Sequence, residues 1–416
     1  SSTSADNARL TRTVGTVDSN VHWTLNFWIK RSAIEGNNPV SRARPLNMFT
    51  PRSGTSGSVL HEFLFGATGS YGAGDAFAIT NTNTGTYILS TNNLFRDTSA
   101  WYNIHIQADL DNGTASEKLK IFVNGTEASY NVDNRSSYTS FAGMVAGNWT
   151  IGDYYNYGYP IQSYLAQWCF IDGTTYAASD FGETKNGVWI PKDPSGLTFG
   201  SEGYLLKFES SSDLGNDSSG NNNDWSSSNL ATHDQMLDSP TFDSSSNGGN
   251  FATLGGLEKN SGGFTISENN LKYAVSTNNR GFIASQGVPE SGKYYWEVRV
   301  TQFGGSEDQI FLGVCDPDKS RGNLTASRGG AETSGAGNYV FDNYNGRANL
   351  DGTAQSNDSI GHARSVPQTF GVAVDRDNNT FKWTYDGSTY SSTYAIPSSG
   401  VLAPFIGSGG GSNTAS

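Results

Sequence analysis

The run HWTLNFWIK at positions 22–30 decides the fold class, because apolar and polar side chains alternate along it. The apolar set consists of Trp23, Leu25, Phe27 and Ile29, and the polar set of Thr24, Asn26 and Lys30. Side chains of a β-strand point alternately to its two faces, so this period of two places the apolar set on one face. The run therefore predicts a strand of an antiparallel sheet, with one face in a core and the other toward water.

The same alternation recurs on the C-terminal side of this run. It places Tyr102, Ile104, Ile106 and Ala108 on one face of WYNIHIQAD (101–109), and Tyr294, Trp296, Val298 and Val300 on one face of KYYWEVRVT (293–301). No segment of helical length has a 3.6-residue period, and only AASDFGET (177–184) predicts a short helical turn. The pattern predicts an all-β protein made of two tandem antiparallel β-sandwich domains.

Two longer segments share one order of features. WYNIHIQADLDNGTASEKLKIFVNGT (101–126) and QTFGVAVDRDNNTFKWTYDGST (368–389) each contain an alternating strand, an acidic Asn-rich turn and a second strand. Each strand pair is followed by Asn124-Gly125 or Asp386-Gly387. These dipeptides predict type I′ hairpin turns, which need positive φ at both central residues. The two halves of the chain are therefore expected to have related folds.

The composition changes between positions 210 and 250. This segment is poor in apolar residues and rich in Ser, Asn, Asp and Gly, which predicts either a linker or a long ordered loop. A chain of 416 residues is long enough for two or three domains. We therefore predict a first domain over 1–209, the Ser/Asn/Gly-rich segment over 210–250, and a second domain over 251–416.

Charge and cysteine usage exclude several classes of function. The formal net charge is −13 and no Lys/Arg cluster is present, which argues against binding to nucleic acid or to anionic lipid. No apolar run approaches the roughly 18 residues of a membrane span, so no membrane insertion is predicted. Cys169 and Cys315 lie in apolar strand-like runs in different halves, which predicts two buried free thiols.

A series of segments over residues 1–225 carries a resemblance to a known family. The segments are LTRT (10–13), WTLNFWIKRS (23–32), AWYNIHIQADL (100–110), LKIFVNGTE (119–127), WTIGDY (149–154), LAQWCFIDG (165–173), SDFGETKNGVWIPK (179–192), GYLLKF (203–208) and DSSGNNNDW (217–225). Together they resemble the laminin-G/concanavalin-like jelly roll, in the version common in marine phage structural proteins. The resemblance implies a two-sheet sandwich whose rim loops bind glycans, peptides or protein surfaces.

Four segments of the second half carry a second resemblance. They are SGKYYWEVRV (291–300), IFLGVCD (310–316), GVAVDRDNNTFKWTYDG (371–387) and LAPFIGSGGG (402–411). They resemble a SPRY domain, which is also a two-sheet sandwich. SPRY chains continue with a closing strand, so the resemblance implies that this strand lies beyond Ser416.

The candidate binding residues lie in loops. DYYNYGYP (153–160) supplies Tyr154, Tyr155, Asn156, Tyr157 and Tyr159, which offer amphipathic contact area for a glycan or a protein, or else pack on the sandwich or a neighbouring subunit. The long loops implied by the SPRY resemblance add Asp342, Tyr344, Arg347 and Arg321. These residues are the predicted contacts with a partner.

The sequence supports a catalytic or a metal site less well than it supports a binding surface. The chain contains no Glu-x-Asp-x-x-Glu pattern for a glycosidase, and its five histidines lack metal-ligand or triad spacing, so no enzyme is predicted. No cofactor is predicted, and calcium is the open alternative. Its candidate oxygen ligands are Asp109, Asp111, Asn112, Asp153 and Asn156, which are also ordinary turn residues.

The resemblances and the absence of a catalytic pattern lead to one functional expectation. The chain is expected to be a virion surface protein, either a tail or capsid fibre or a decoration protein, and to form a homo-oligomer on a symmetric particle. Its partners would be a host-surface glycan or protein, or other virion proteins. A secreted bacterial lectin or adhesin and a divergent polysaccharide hydrolase are the alternatives.

Overall fold

The chain forms two compact units in a computed structural model, Ser2–Asn250 and Phe251–Ser416. The structure describes residues 8–32, 34, 46–53, 61–65, 75–82, 84–153, 161–241, 248–255, 264–275, 280–303, 309–320, 337–358, 360, 365–409 and 414–415. Strands dominate both units, and the described residues contain one short α-helix. The predicted all-β class is confirmed.

The first unit is built from three antiparallel sheets. Its strands are β1 (Arg9–Val14), β2 (His22–Arg31), β3 (Leu46–Thr50), β4 (His61–Phe65), β5 (Ala76–Asn81), β6 (Thr86–Leu94), β7 (Tyr102–Asp109), β8 (Leu119–Val123), β9 (Thr126–Glu127), β10 (Tyr130–Asp133), β11 (Gly147–Ile151), β12 (Ser163–Asp172), β13 (Gly182–Lys185), β14 (Val188–Pro191), β15 (Tyr204–Leu206) and β16 (Ser226–Ser228). The eight-stranded sheet has the order β10-β6-β5-β4-β3-β11-β1-β16, and the six-stranded sheet has the order β15-β12-β2-β7-β8-β9. β13 and β14 form a separate hairpin.

Aromatic side chains fill the space between the two large sheets of this unit. Phe27 of β2 stacks on Trp168 of β12 with ring centroids 4.4 Å apart. Phe49 of β3, in the facing sheet, approaches Trp168 edge-on at 6.0 Å. All three rings are fully buried, as the alternation in β2 predicts. The sandwich therefore closes over one continuous core.

The outward face of β2 is buried as well, which corrects the expectation of a wet face. Thr24, Asn26 and Lys30 have no exposed surface. Residues that follow β12 cover this face, where Thr24 Oγ1 donates to the Thr174 carbonyl at 3.0 Å. Polar residues can lie there because the covering segment supplies their hydrogen-bond partners. Alternation reveals which face is apolar, but it does not reveal that a later segment covers the polar face.

The described part of the 210–250 segment packs on the first unit. Trp225 belongs to the main core, and β16 pairs with the edge strand β1. Asp217 accepts hydrogen bonds from the backbone N–H groups of Leu205 and Asn223, at 2.8 and 2.9 Å. These contacts make the described part of the segment an ordered piece of the first unit.

The second unit contains two antiparallel sheets and a short helix. Its elements are β17 (Phe264–Ser267), β18 (Lys272–Val275), β19 (Arg280–Ile283), β20 (Lys293–Gln302), β21 (Gln309–Cys315), α1 (Pro317–Ser320), β22 (Asn338–Asp342), β23 (Arg347–Leu350), β24 (Thr353–Asn357), β25 (Gln368–Asp375), β26 (Thr380–Thr384), β27 (Tyr394–Ala395), β28 (Ala403–Gly409) and β29 (Thr414–Ala415). The sheet orders are β17-β18-β29-β20-β25-β26-β27 and β19-β28-β21-β22-β23-β24. Phe341 of β22 stacks on Trp383 of β26 at 4.3 Å, so the two sheets share a core.

The local predictions have mixed outcomes. Asn124 and Gly125 have φ of 49° and 77° between β8 and β9, which confirms the first hairpin turn. At the second site Gly387 alone has positive φ, and the predicted two-residue turn is wrong. The Asp386 carboxylate instead accepts hydrogen bonds from the N–H groups of Ser388 and Thr389, which builds a wider loop.

Two other local predictions are confirmed. The segment AASDFGET contains one 3₁₀ turn, at Ala178–Asp180. Cys169 and Cys315 are buried free cysteines, and burial raises the pKa of the Cys169 thiol. Both thiols are therefore packing residues of their cores.

Candidate functional site

The outer face of the seven-stranded sheet carries an exposed aromatic and charged surface. Alternate residues of β20 face the core, as the sequence predicts, so Tyr295 and the residues two positions apart from it point outward. Strand pairing places Ala373 of β25 between Tyr295 and Lys382 of β26. The set Tyr295, Glu297, Arg299, Lys382 and Tyr390 is hereafter the Tyr295 face.

Tyr295 lies over a glycine. The residue is 48% exposed. A Cβ atom added at Gly371 would lie 2.2 Å from Tyr295 Oη, so the missing side chain leaves the space in which the phenol lies. Tyr295 Oη donates to Glu297 Oε1 at 2.8 Å. Desolvation by burial and this hydrogen bond raise the pKa of Tyr295 to about 12, so the hydroxyl stays protonated near neutral pH.

A second aromatic residue extends this surface. Lys382 Nζ lies 4.2 Å from the ring centroid of Tyr390, which is within cation–π distance. Tyr and Arg are enriched at protein interfaces, and a tyrosine buries a large area while it loses little conformational entropy. The Tyr295 face therefore has the chemistry of a recognition surface. The sequence contains one signal for this surface. Tyr295 is an aromatic residue on the otherwise polar face of the strand KYYWEVRVT.

The residues predicted from the SPRY-type loops have different positions. Asp342 is fully buried, and its Oδ1 accepts hydrogen bonds from the N–H groups of Tyr344 and Asn345, at 3.0 and 3.3 Å. It therefore builds the turn between β22 and β23, and its burial corrects its prediction as a surface contact. Tyr344 and Arg347 are half-buried next to this turn. Arg321 lies outside the described residues.

The tyrosine cluster of the first half also lies outside the described residues. This applies to Tyr154, Tyr155, Asn156, Tyr157 and Tyr159. Asp153, at the last described position before them, is fully buried at the end of β11. Thr50 Oγ1 donates to the Asp153 carbonyl at 3.2 Å.

The predicted calcium ligands are only partly brought together. Asp109 and Asp111 lie beside His22, whose Nε2 is 3.2 Å from Asp109 Oδ1 and 2.9 Å from Asp111 Oδ1. Asp153 is not part of this group and belongs to the other large sheet. Calcium takes six to eight oxygen ligands, whereas this group offers one imidazole nitrogen and two carboxylates, a half-buried one from Asp109 and an exposed one from Asp111. These three described residues are by themselves too few for a calcium site, and Asn156 lies outside the described residues. The histidine is the member of the group that spacing along the sequence did not reveal.

No helix in the described ranges is long and apolar enough to cross a membrane.

Comparisons with known proteins bear on the second unit. Residues 293–415 match the family model of the SPRY domain. Similar solved structures include the TRIM65 PSpry domain (16% identity, 39% of this chain and 89% of that chain, TM-score 0.30) and the SPRY domain of human HERC1 (13%, 39% and 94%, TM-score 0.31). Stonustoxin is similar at 15% identity over 39% of this chain and 26% of its own length, with a TM-score of 0.31. No curated protein matches the chain.

The family match and the topology agree for the second unit. The matched residues begin at β20 and end in β29, so they include strands of both sheets, whereas β17, β18 and β19 precede the match. The second unit therefore has a SPRY-like, jelly-roll β-sandwich fold, of the kind that mediates protein–protein interactions.

Proposed function

We propose that this chain is a non-enzymatic recognition protein whose SPRY-like unit binds a protein partner through the Tyr295 face. The observation that carries the proposal is the half-exposed Tyr295, held over Gly371 and bonded to Glu297 on an open sheet face. A tyrosine fixed before binding loses little entropy when a partner covers it. Arg299 and Lys382 add positive charge to this face of a chain whose formal net charge is −13. An acidic protein surface is therefore the complementary partner.

The setting that we propose is the surface of a virion, as a tail or capsid fibre or a decoration protein. The support is the ordered series of segments over 1–225, which resembles the jelly roll of marine phage structural proteins. Many copies on a symmetric particle would turn a weak contact at each Tyr295 face into strong overall binding. The partner would be another virion protein or a host-surface protein.

Binding of the full chain to particles and to host cells tests this proposal. Co-sedimentation would be measured with particles of the virus that encodes the chain and with cells of its host. Replacing an interface tyrosine of the hot-spot type costs about 2 kcal/mol or more, so Tyr295→Ala is expected to weaken binding about 30-fold. Val401→Ala is the matched control, because Val401 is an apolar residue of the same unit with 61% of its surface exposed.

Three results would reject parts of the proposal. Equal binding by Tyr295→Ala and Val401→Ala would show that the Tyr295 face is not the surface that binds the partner. Absence of the chain from purified particles, together with binding to bacterial cells, would favour a secreted adhesin. No binding to either preparation would contradict the recognition function itself.

A further inference from the structure

Three side chains from distant parts of the first unit meet on the outward face of β2. Lys30 Nζ donates to Asp238 Oδ2 at 2.7 Å and to Asn250 Oδ1 at 3.0 Å. Lys30 is fully buried, and the side chain of Asp238 is 4% exposed. An amine, a carboxyl group and a carboxamide are therefore in contact, and these are the groups that an amide bond between two side chains requires.

The surroundings of Lys30 favour its neutral form, which is the nucleophilic one. The ring centroid of Tyr164 lies 5.4 Å from Nζ, and Trp101 Nε1 donates to Asp238 Oδ1 at 2.8 Å, which fixes the carboxyl group. Burial lowers the pKa of Lys30, although the Asp238 carboxylate opposes this shift. Transfer of one proton from Nζ to Asp238 Oδ2 converts the buried ion pair into a neutral amine and a neutral carboxylic acid.

The carboxamide of Asn250 is held in position for attack by this amine. Its Nδ2 donates to the Ser99 carbonyl at 2.8 Å and its Oδ1 accepts from Lys30, so two hydrogen bonds fix the plane of the amide. Cγ is bonded to Oδ1 at about 1.2 Å, which places it roughly 3–4 Å from Lys30 Nζ. Reacting atoms in a near-attack arrangement lie about 3–3.5 Å apart, so a small movement brings the two atoms into range. Asn250 is an exposed residue, which gives a leaving group a path to water.

We propose that Lys30 and Asn250 form an intramolecular isopeptide bond, with Asp238 as the acid–base catalyst. One proton moves from Lys30 Nζ to Asp238 Oδ2, and the free electron pair of Nζ then forms a bond to Cγ of Asn250. Asp238 donates this proton to Nδ2, the bond between Cγ and Nδ2 breaks, and ammonia leaves with the electron pair of that bond. The new amide nitrogen gives a second proton to Asp238, which ends as a neutral carboxylic acid. The reaction requires no oxidant, cofactor or second substrate.

The bond would close the first unit covalently. Asn250 is the last residue of this unit, and Lys30 lies 220 positions before it. Cys169 and Cys315 are free, so the crosslink is of a kind that disulfides do not supply in this chain. Covalent closure of a long loop restricts the unfolded chain and therefore favours the folded one. This inference goes beyond the docking function, because it concerns the covalent structure of the first unit.

Mass spectrometry of the folded full chain tests the bond. Loss of one ammonia should lower the mass of the wild type by about 17 Da relative to its sequence. Tryptic digestion should release a branched peptide that joins the segments around Lys30 and Asn250. Asn250→Ala keeps the ion pair between Lys30 and Asp238 but should have the full mass of its sequence. Asp238→Asn should form the bond at least about 100-fold more slowly, because it lacks the group that transfers the protons.

A control variant and the peptide map separate the outcomes. Asn92→Ala replaces an exposed asparagine of β6 and should retain the mass loss. A succinimide at an Asn-Gly turn also loses ammonia, but it gives no branched peptide and does not respond to Asn250→Ala. Circular dichroism checks that each variant is folded. The proposal is overturned if the wild type yields only linear peptides, or if the mass loss persists in Asn250→Ala. Formation of the bond at the wild-type rate in Asp238→Asn would contradict the role of Asp238.

Discussion

Lys30 Nζ, in β2, lies 2.7 Å from Oδ2 of Asp238, a residue 208 positions later in the chain. Both side chains are almost fully buried. Burial lowers the pKa of Lys30, and the Asp238 carboxylate opposes this shift. Asp238 Oδ1 also accepts from Trp101 Nε1 at 2.8 Å, and Lys30 donates to Asn250 Oδ1 at 3.0 Å. These contacts hold the end of the 210–250 segment on the first unit.

Removing the charge of Asp238 should destabilise the first unit strongly. Asp238→Asn keeps the shape but leaves Lys30 buried without its counter-charge, which typically costs 3–5 kcal/mol. We expect a fall of about 10 °C in the thermal midpoint of this unit, measured by scanning calorimetry on the full chain. Glu127→Gln is the control, because the contact between Lys120 and Glu127 is 3.8 Å long and partly exposed, and it should shift the midpoint by less than about 2 °C. Equal midpoints for the two variants would contradict the role of the buried pair.

Two Asn-Gly turns provide a matched test of packing. Gly125 and Gly187 have φ of 77° and 80°, so alanine is strained to a similar degree at both. A Cβ at Gly125 would lie 2.5 Å from the Trp189 ring, whereas a Cβ at Gly187 would meet no atom within 4 Å. Gly125→Ala is therefore expected to cost about 1–3 kcal/mol more than Gly187→Ala in the free energy of unfolding. Urea unfolding of both variants measures the difference, and equal costs would show that Trp189 does not restrict this turn.

Two buried histidines predict loss of stability in acid. Burial lowers the pKa of His61 to about 4 and that of His105 to about 3. Below pH 6.5 the unfolded chain binds protons that the folded chain does not, so stability is complete above pH 6.5 and falls as the pH decreases toward 3. Each histidine should lower the free energy of unfolding by about 2 kcal/mol when the pH falls from 7.5 to 5.

The His61→Phe variant isolates one of these contributions. His61 stacks on Phe141 with ring centroids 4.3 Å apart, so a phenyl ring suits the site. The variant loses the acceptor of the Gly143 N–H, which lowers its stability at every pH. The fall in unfolding free energy between pH 7.5 and pH 5 should nevertheless be smaller than in the wild type by about 2 kcal/mol. An unchanged fall would mean that His61 takes up a proton in the folded state.

The sequence predicted the strands well, because alternation depends only on local order. It identified the buried faces of β2, β7 and β20 and the turn at Asn124-Gly125. The structure contains a second turn with the same dipeptide, Asn186-Gly187 between β13 and β14, which was not predicted. The sequence could not predict that Thr24 and Lys30 are buried, since the segments that cover them come some 150 to 208 residues later.

The candidate sites were harder to predict for the same reason. Tyr295 was not among the predicted site residues, and its support by Gly371 depends on the register of β20 with β25. Asp342 has the composition of a loop contact, yet its carboxylate is used to build the turn.

The most direct test of the account is photo-crosslinking from position 295. A benzophenone amino acid would replace Tyr295 in the full chain, and Thr184 in a control chain, and both would be irradiated with particles and with host cells. The account predicts a discrete protein adduct from position 295 that is absent from position 184 and reduced by Arg299→Glu. No adduct from position 295, or the same adducts from both positions, would contradict the claim that the Tyr295 face binds a protein partner.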